Sequence, residues 1–547
     1  MHHCLTISEI LDHVFEYCVA QEVDYENTLA AVARTCKTFY EPAVSALYYQ
    51  LQDLSPLLKL LPKDFWFEEQ EPGSLGGILV TLHLTKLPEA DADWANVNKH
   101  LHRVKKIKID DQRSCKIRHR ISHLAIQAIV LRCAQMGWPD QPNAVFLPQL
   151  ETLYWDWGNH DLSLFGSVFC IASSRLKIFS TELVVEPAHH AVETIVAAAF
   201  LSFPRFFPAL QILNVTFLGD DLRLMSTQEA VSNIIPSYPE LRRVELPPTV
   251  EDTTLFHVAQ LPFLTHLSCY LPQDGGFFMK STRGQRFFPA LKKVYLHGAD
   301  MNHWPDVIQD IQTTVASSSS LRRLFKGLEK QSKLAELRVL ASPNAESYNS
   351  DDDEHVIHPE TLKPLLSLHN LTSLFIEHDF SVDLDDECVK SMALSWPDLQ
   401  HLTIIHREPA SRGTRATLQS LGWLVKYCRR LRTIHLGFNP TLPPPEIYRE
   451  IFNPKATDDN SLIHLHFSYY SPVESANITP IVAYILDLLP KMKAIHFDYG
   501  SVMDVTKEFC EAWDNLVEEM SMRSASLRRP GGTSLAVRSS STLPEED

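Results

Sequence analysis

The sequence predicts an α/β fold in which a small N-terminal module of three helices precedes a curved solenoid, with parallel strands inside and helices outside. The first fifty or so residues carry apolar side chains at helical spacing. Short blocks rich in leucine then recur from about residue 76 to residue 500. The chain has 547 residues, whereas a single core stops growing at roughly 250–300 residues. A chain of this length usually forms three or four domains unless it is an array of repeats, and the recurring blocks favour the array.

The first helix is predicted at residues 6–18, TISEILDHVFEYC, where the apolar side chains follow the i, i+3, i+4, i+7 pattern of one helical face. Thr6 and Glu9 have capping-box spacing, which indicates where the helix begins. The apolar residues of this face are Ile7, Ile10, Leu11, Val14, Phe15 and Cys18. We expect another surface to cover them.

Two further helices are predicted in the same module. Leu29, Val32 and Cys36 repeat the helical spacing, and Pro42 suits the first turn of a helix that runs on through Leu47. A unit of about 50 residues buries little apolar surface by itself. The module is therefore expected to dock onto the rest of the chain or onto a partner.

The order ISEILDHVFEYC…LAAVARTCKTFYEPAVSALYYQL resembles an F-box, specifically the F-box at the N-terminus of many proteins from mushroom-forming fungi. The resemblance covers roughly residues 5–53. It departs from many F-boxes at Ser8, where they have Pro, and at Phe39 and Tyr48, where they have Trp. The resemblance implies that these helices bind a Skp-type adaptor and, through it, a cullin and RING ligase core. The implied adaptor-binding residues, which are divided between the core of the module and the interface in a way that the sequence leaves open, are Ile7, Ile10, Leu11, Val14, Phe15, Leu29, Val32, Cys36, Phe39 and Leu47. The alternative is a helical cap on the first repeat of a solenoid.

The repeated blocks have the form L-x-x-L-x-L, as in FLPQLETLYW, FPALKKVYL and CRRLRTIHL, and their last three positions alternate as in a half-buried strand. Most blocks lie 23 to 37 residues apart, near or above the leucine-rich-repeat range of roughly 20–29. They resemble an irregular, F-box-associated leucine-rich repeat. The alternative is a set of unrelated strands in an ordinary α/β domain. Helices are predicted between strands at 186–201, 225–235, 384–395 and 414–428.

A target protein is expected to bind the concave face of the solenoid. In each block the leucines point into the core, so the residue between the last two points into the concave face. The candidate substrate-binding residues are Tyr154, Asn214, Glu245, Tyr295, Arg338, Phe375, His435, His464, His466 and His496.

Three of these candidates form a row. His435, His466 and His496 hold the same position in successive blocks, and parallel strands lie about 4.8 Å apart. His464 and Asp498 are predicted on the same face. The favoured interpretation is a solvated polar row without a ligand, so no metal site is predicted; substrate contact and metal binding are the alternatives.

The predicted domains are a helical module at 1–53, a linker or cap at 54–75, the solenoid at 76–521 and a disordered tail at 522–547. The tail has few apolar residues and no periodicity. The locally basic stretch 105–120 is interpreted as a solvated loop, with a polyanion site as the alternative. The acidic stretch 342–360 is predicted to be a solvent loop.

Composition excludes several classes of function. The formal net charge of −17 argues against nucleic-acid binding, and no apolar run reaches the roughly 20 residues that span a bilayer. Ten cysteines without a CxxC pair indicate reduced thiols, so we expect a cytoplasmic or nuclear protein. The sequence contains no P-loop, GxGxxG, HExxH or GxSxG motif, so no catalytic residue and no cofactor is predicted.

These observations predict a substrate-recruiting subunit of a cullin-type ubiquitin ligase that binds an unknown protein target and needs no small-molecule cofactor. The second hypothesis is a leucine-rich scaffold or inhibitor protein without a ligase link. A hydrolase or transferase with a dispersed site is the third.

Overall fold

The structure is a computed structural model, and the chain forms two compact units, Met1–Leu264 and Thr265–Asp547. The residues that it describes are 8–20, 25–72, 78–107, 117–141, 144–156, 162–184, 190–218, 225–247, 250, 252–270, 288–297, 318–341, 356–378, 381–406, 414–451, 464–468, 477–489, 494–498, 515–516, 518–519, 522–523 and 536–539.

The first unit contains both helices and strands. Its helices are α1 (Ser8–Ala20), α2 (Tyr25–Ala33), α3 (Lys37–Tyr49), α4 (Ser55–Leu58), α5 (Ala95–Leu101), α6 (His123–Gln135), α7 (Val168–Ile171), α8 (His190–Phe206), α9 (Met225–Ile234) and α10 (Asp252–Gln260). Its strands are β1 (Gln50–Leu51), β2 (Trp66–Pro72), β3 (Ile78–Leu84), β4 (Lys106–Ile107), β5 (Ile117–Ile121), β6 (Thr152–Asp156), β7 (Ile178–Val184), β8 (Ile212–Leu218) and β9 (Arg243–Glu245).

The second unit repeats the alternation of strand and helix. Its strands are β10 (His266–Tyr270), β11 (Lys293–His297), β12 (Glu336–Ala341), β13 (Val356–Ile357), β14 (Ser373–His378), β15 (Ser381–Val382), β16 (His401–His406), β17 (Thr433–Gly437), β18 (His464–Ser468), β19 (Ala494–Asp498) and β20 (Ala536–Ser539). Its helices are α11 (Ser318–Leu328), α12 (Pro359–Leu362), α13 (Asp386–Ser395), α14 (Leu418–Tyr427), α15 (Pro445–Ile451) and α16 (Ile478–Leu488).

Three N-terminal helices form as predicted, with different bounds. The third helix begins at Lys37, so Pro42 lies inside it and not in its first turn. A proline in that place removes one backbone donor from the helix. Thr6 and Ile7, which belong to the predicted start of the first helix, lie outside the described residues.

Parallel strands dominate both units, as the repeated blocks predicted. In the first unit each strand pairs in parallel with the next in the order β1, β4, β6, β7, β8, β9. In the second unit the order is β10, β11, β12, β14, β16, β17, β18, β19, β20. Helices α8, α9, α13 and α14 lie in the connections where the sequence predicted them. The fold is thus α/β and solenoid-like.

The start of the solenoid differs from the prediction. The block near residue 79 forms β3, which pairs antiparallel with β2 and parallel with β5 in a separate sheet. The first strand of the parallel row is instead β1, directly after the third helix. Within residues 54–72, which belong to the predicted linker or cap, Leu54, Leu57 and Leu58 are buried. Their burial contributes favourably to the stability of the first unit.

A backbone ladder joins consecutive repeats. Just before most strands of the parallel rows one amide donates to the carbonyl of the preceding repeat, as in Ala335 N to Lys292 O, Thr372 N to Ala335 O and Gln400 N to Thr372 O. These bonds satisfy polar groups that the leucine core would otherwise leave unpaired. These backbone hydrogen bonds connect consecutive repeats, although the sequence lacks a regular Asn or Cys after each strand.

Part of the predicted tail, 522–547, is described as a strand. Residues Ala536–Ser539 form β20, which pairs in parallel with β19. The free edge of a parallel row offers unpaired amide and carbonyl groups. A short, polar strand can therefore join it without a strong apolar pattern of its own.

Candidate interaction surfaces

The first helix has two faces with different environments. Leu11, Phe15 and Val19 are buried, and they form one apolar cluster with residues of α2 and α3. Phe15 meets Phe39 edge to face, with ring centroids 6.4 Å apart. The cluster is the core of the helical module, because buried apolar area is the main favourable contribution to its stability.

The opposite face of the helix is solvent-exposed yet apolar. Ile10 is 38% exposed, Val14 45% and Tyr17 67%. Their spacing of four and three residues places them together on one side of α1. We call these three residues the α1 outer face. A contiguous apolar patch on a helix is typical of a protein–protein contact.

Among the described residues, the implied adaptor-binding residues fall into three classes: core, half-buried and exposed. Leu11, Phe15 and Leu29 belong to the core of the module. Val32, Phe39 and Leu47 are partly buried against that core, and Cys36 is half-buried at the start of α3. Ile10 and Val14 are exposed. Tyr17 was missed, although its spacing from Val14 was visible in the sequence.

The third helix attaches the module to the first repeats. The Arg103 guanidinium donates to Ser45 Oγ at 2.6 Å and to Glu41 Oε2 at 2.7 Å. The rings of Tyr48 and His100 stack with centroids 4.2 Å apart. Burial, together with the positive charge of Arg103, lowers the pKa of His100, so this imidazole stays neutral at neutral pH. These contacts come from side chains far apart in the sequence.

The predicted binding row is in register in both units. In the first unit Tyr154, Ser180 and Asn214 are paired across neighbouring strands. In the second unit the residues at this position, from β10 to β20, are Ser268, Tyr295, Arg338, Phe375, Thr403, His435, His466, His496 and Arg538. Their neighbours along each strand, such as Leu337, Val339 and Leu374, are buried. We call this side of the strands the open face.

Exposure differs strongly among the candidates. Arg338 is exposed, whereas Tyr154, Glu245, Tyr295, Phe375 and His464 are half-buried. Asn214 and His435 are only 6% and 8% exposed, so neither offers the freely accessible side chain that the alternation pattern predicted. Side chains on the neighbouring strands, which lie about 4.8 Å away, shield Asn214 and His435 from solvent. Nothing is described of the side chains of His466 and His496.

A group of polar and aromatic side chains surrounds Arg338 on the open face. Its guanidinium lies over the ring of Phe375 at 4.4 Å from the centroid. Next to it, Glu336 accepts a hydrogen bond from the Tyr295 hydroxyl at 3.2 Å and forms an ion pair with Lys293 at 2.6 Å. Burial and the charge of Arg338 lower the pKa of His297. This arrangement offers an exposed planar cation beside aromatic rings.

A half-buried carboxyl, that of Glu245, lies on the open face of the first unit. Glu245 accepts a hydrogen bond from Thr216 Oγ1 at 3.2 Å. Burial raises the pKa of Glu245, while Thr216 and Arg243 act in the opposite direction. The net pKa is raised because burial disfavours the charged carboxylate more than Thr216 and Arg243 favour it.

Two cysteines of the first unit, Cys133 and Cys170, are free and buried. Burial raises the pKa of the Cys133 thiol to about 12 and that of Cys170 to about 11, so neither is a thiolate at neutral pH. Among the side chains that the structure describes, no three His, Cys, Asp or Glu residues gather as a metal site. None of the described helices is long and apolar enough to cross a membrane.

Comparison with known proteins adds little. No protein-family model matches the sequence, and no curated protein matches it. The crystal structure of a complex of Rad7 and Elc1 in yeast is similar to 63% of this chain and 93% of the matched chain, with 12% sequence identity and a TM-score of 0.20. At that TM-score the likeness carries no argument about function.

Proposed function

We propose that the chain is the substrate-recruiting F-box subunit of an SCF-type (Skp–cullin–F-box) ubiquitin ligase. The α1 outer face binds a Skp-type adaptor, and the open face of the parallel strands binds a protein target. The observation that carries this proposal is the exposed apolar set Ile10, Val14 and Tyr17 on a helix whose other side is packed. The resemblance of residues 5–53 to an F-box names the partner.

The mechanism is positional. In this proposal the adaptor connects the chain to a cullin and RING core, and the open face holds the target nearby. Linking the two partners raises the effective concentration of the target near the ubiquitin-loaded enzyme. The contacts of Arg103 with Glu41 and Ser45 support it, since they attach the helical module to the strand-bearing part of the first unit.

A stable interface usually buries about 800 Å² on each partner, which is more than three side chains supply. A few central residues nevertheless carry most of the binding free energy. Ile10, Val14 and Tyr17 are proposed as that centre, with polar contacts around them. Charged substitutions at the centre are therefore expected to abolish binding.

The test is a pull-down of the full chain with a purified Skp-type adaptor. Ile10→Asp combined with Val14→Asp is expected to lose binding while circular dichroism and Tm stay unchanged, because both side chains are exposed. Leu201→Asp is the matched control, since Leu201 is 56% exposed on α8. Absence of binding by the unmodified chain, or equal binding by the double variant, would overturn the proposal.

One observation favours a second candidate, a leucine-rich scaffold protein whose N-terminal helices cap the array. The third helix continues into β1, the first strand of the parallel row, and Tyr48 stacks on His100. These are the contacts that a cap requires. The same pull-down separates the two candidates, since a cap gives no adaptor binding.

A further inference from the structure

Arg338 lies between two aromatic residues on the open face of the second unit. It is paired in register with Tyr295 of β11 on one side and with Phe375 of β14 on the other. We propose that Arg338 is the centre of a binding site for the carboxylate of an Asp or Glu residue in the protein target. The inference rests on the part of the proposed function that assigns target binding to the open face, and it does not depend on adaptor binding.

The Arg338 guanidinium is accessible and carries an uncompensated charge. The side chain is exposed, and its Cζ lies 4.4 Å from the centroid of the Phe375 ring. Among the residues that the structure describes, no carboxylate forms an ion pair with Arg338. The attraction between a cation and a ring face uses no hydrogen bond to oxygen, so the N–H donors of the guanidinium stay available for a ligand.

The acidic side chain two residues before Arg338 is already engaged. Glu336 accepts a hydrogen bond from the Tyr295 hydroxyl through Oε2 at 3.2 Å and forms an ion pair with Lys293 through Oε1 at 2.6 Å. Both carboxylate oxygens of Glu336 therefore have a partner, and the charge of Lys293 is compensated. An anion from outside the chain is the natural complement of Arg338.

The charges around Arg338 favour a carboxylate over a phosphate dianion. Glu336 and Glu377 are half-buried on the same face and would repel a second negative charge. Burial and the charge of Arg338 lower the pKa of His297, so this imidazole adds no positive charge at neutral pH. A planar carboxylate with one charge matches the guanidinium fork through two parallel hydrogen bonds.

Local charges decide the binding although the whole chain is acidic. The formal net charge of −17 repels an acidic partner at long range. At physiological ionic strength, however, exposed charges are screened beyond about 8 Å. Tyr295 and Phe375, both half-buried, flank the guanidinium and limit the water that reaches it once a ligand is bound. A hydrogen bond to a charged group is stronger where water is excluded.

The experiment selects binders from a displayed library of random dodecapeptides on the full chain and on two variants, Arg338→Gln and Arg338→Glu. Peptides that bind the unmodified chain but not Arg338→Gln are expected to be rich in Asp and Glu. Arg338→Glu is expected to lose these peptides and to select peptides that contain Lys or Arg. Arg322→Gln is the matched control, because Arg322 is an exposed arginine on helix α11; it should select the same peptides as the unmodified chain.

Fluorescence anisotropy then measures the affinity of one selected acidic peptide at physiological ionic strength. Arg338→Gln is expected to weaken binding at least about tenfold, because it removes a hydrogen bond between charged groups. Arg338→Lys keeps the charge without the planar fork, so it should retain only part of the affinity. Replacing the acidic residues of the peptide by their amides should weaken binding by a similar factor, and replacing them by phosphoserine should not strengthen it.

Folding of each variant is checked by Tm, which should stay unchanged because Arg338 is exposed. The substitutions in the peptide test the site independently on the unmodified chain. The site is overturned if no selected peptide depends on Arg338, if the dependent peptides lack acidic residues, or if the phosphoserine peptide binds more tightly. The adaptor is absent from this measurement. A chain that binds acidic peptides through Arg338 but binds no adaptor would keep this site and lose the ligase assignment.

Discussion

Ile10 and Leu11 are consecutive residues of one helix, but Ile10 is 38% exposed and Leu11 only 2%. Leu11 packs in the core of the helical module, whereas Ile10 belongs to the α1 outer face. Substitutions at these two positions therefore separate folding from binding. A test that places a charge at Leu11 would disturb both.

We predict that Leu11→Ala destabilises the helical module by about 2–5 kcal/mol, because it removes a buried side chain and leaves a cavity. Ile10→Ala is expected to change the stability by less than about 0.5 kcal/mol. Hydrogen exchange of the amides in α1–α3 measures both effects locally. Equal protection in the two variants would contradict the assignment of core and surface.

We predict that Asp386→Ala weakens the second unit. The Asp386 carboxylate accepts hydrogen bonds from Thr417 N at 2.8 Å, Thr417 Oγ1 at 2.8 Å and Ser420 Oγ at 2.6 Å, and Ser420 is fully buried. A buried donor left without an acceptor costs about 1–3 kcal/mol, so a loss of about 2–4 kcal/mol is expected. Urea unfolding measures it. The exposed neighbour Glu387 is the control: Glu387→Ala should leave the urea midpoint unchanged.

We predict that Gly422→Ala is destabilising, although alanine is favoured over glycine inside a helix by about 1 kcal/mol. A Cβ atom at Gly422 would lie 2.6 Å from Ile451 Cγ2 and 2.7 Å from the Tyr484 hydroxyl. That hydroxyl is held in place by its hydrogen bond to Leu418 O at 3.0 Å. Overpacking costs about 1–3 kcal/mol, which outweighs the propensity.

The control for this glycine is Gly166→Ala, where no atom lies within 4 Å of the new Cβ. Tm measurements on both variants test the argument. A higher Tm for Gly422→Ala than for the unmodified chain would contradict the prediction. It would mean that Ile451 of α15 and Tyr484 of α16 move away from the new Cβ atom at little cost in stability.

We predict a pH-dependent effect of Glu245→Gln. Burial raises the pKa of Glu245 in the folded chain, so the folded state holds this proton more tightly than the unfolded state. The cost of ionisation is absent below the ordinary glutamate pKa and grows as the pH rises through the folded value. Glu245→Gln is thus expected to raise the Tm at pH 7 but not near pH 4. An equal shift at both pH values would exclude ionisation as the cause; the exposed Glu240→Gln serves as the control.

Local patterns predicted the repeated elements well. The alternation in blocks such as FPALKKVYL placed β11 correctly, and the apolar spacing located α9 and α13 to within about two residues. The block near residue 79 also forms a strand, but it pairs with β2 and β5. Alternation indicates that a strand is half-buried and carries no information about which strand lies beside it.

The sequence by itself determined the period of the strands, and with it which side chains share one face, because successive residues of a strand point to opposite sides. It also determined that the first helix is amphipathic. Only the tertiary structure decided that Phe15 is core while Val14 is surface, and that His435 is nearly buried although it lies on the open face. Exposure depends on neighbours that are distant in the sequence. The apolar pattern of a segment shows how much surface it needs to bury, and the packing of other segments decides which part is covered.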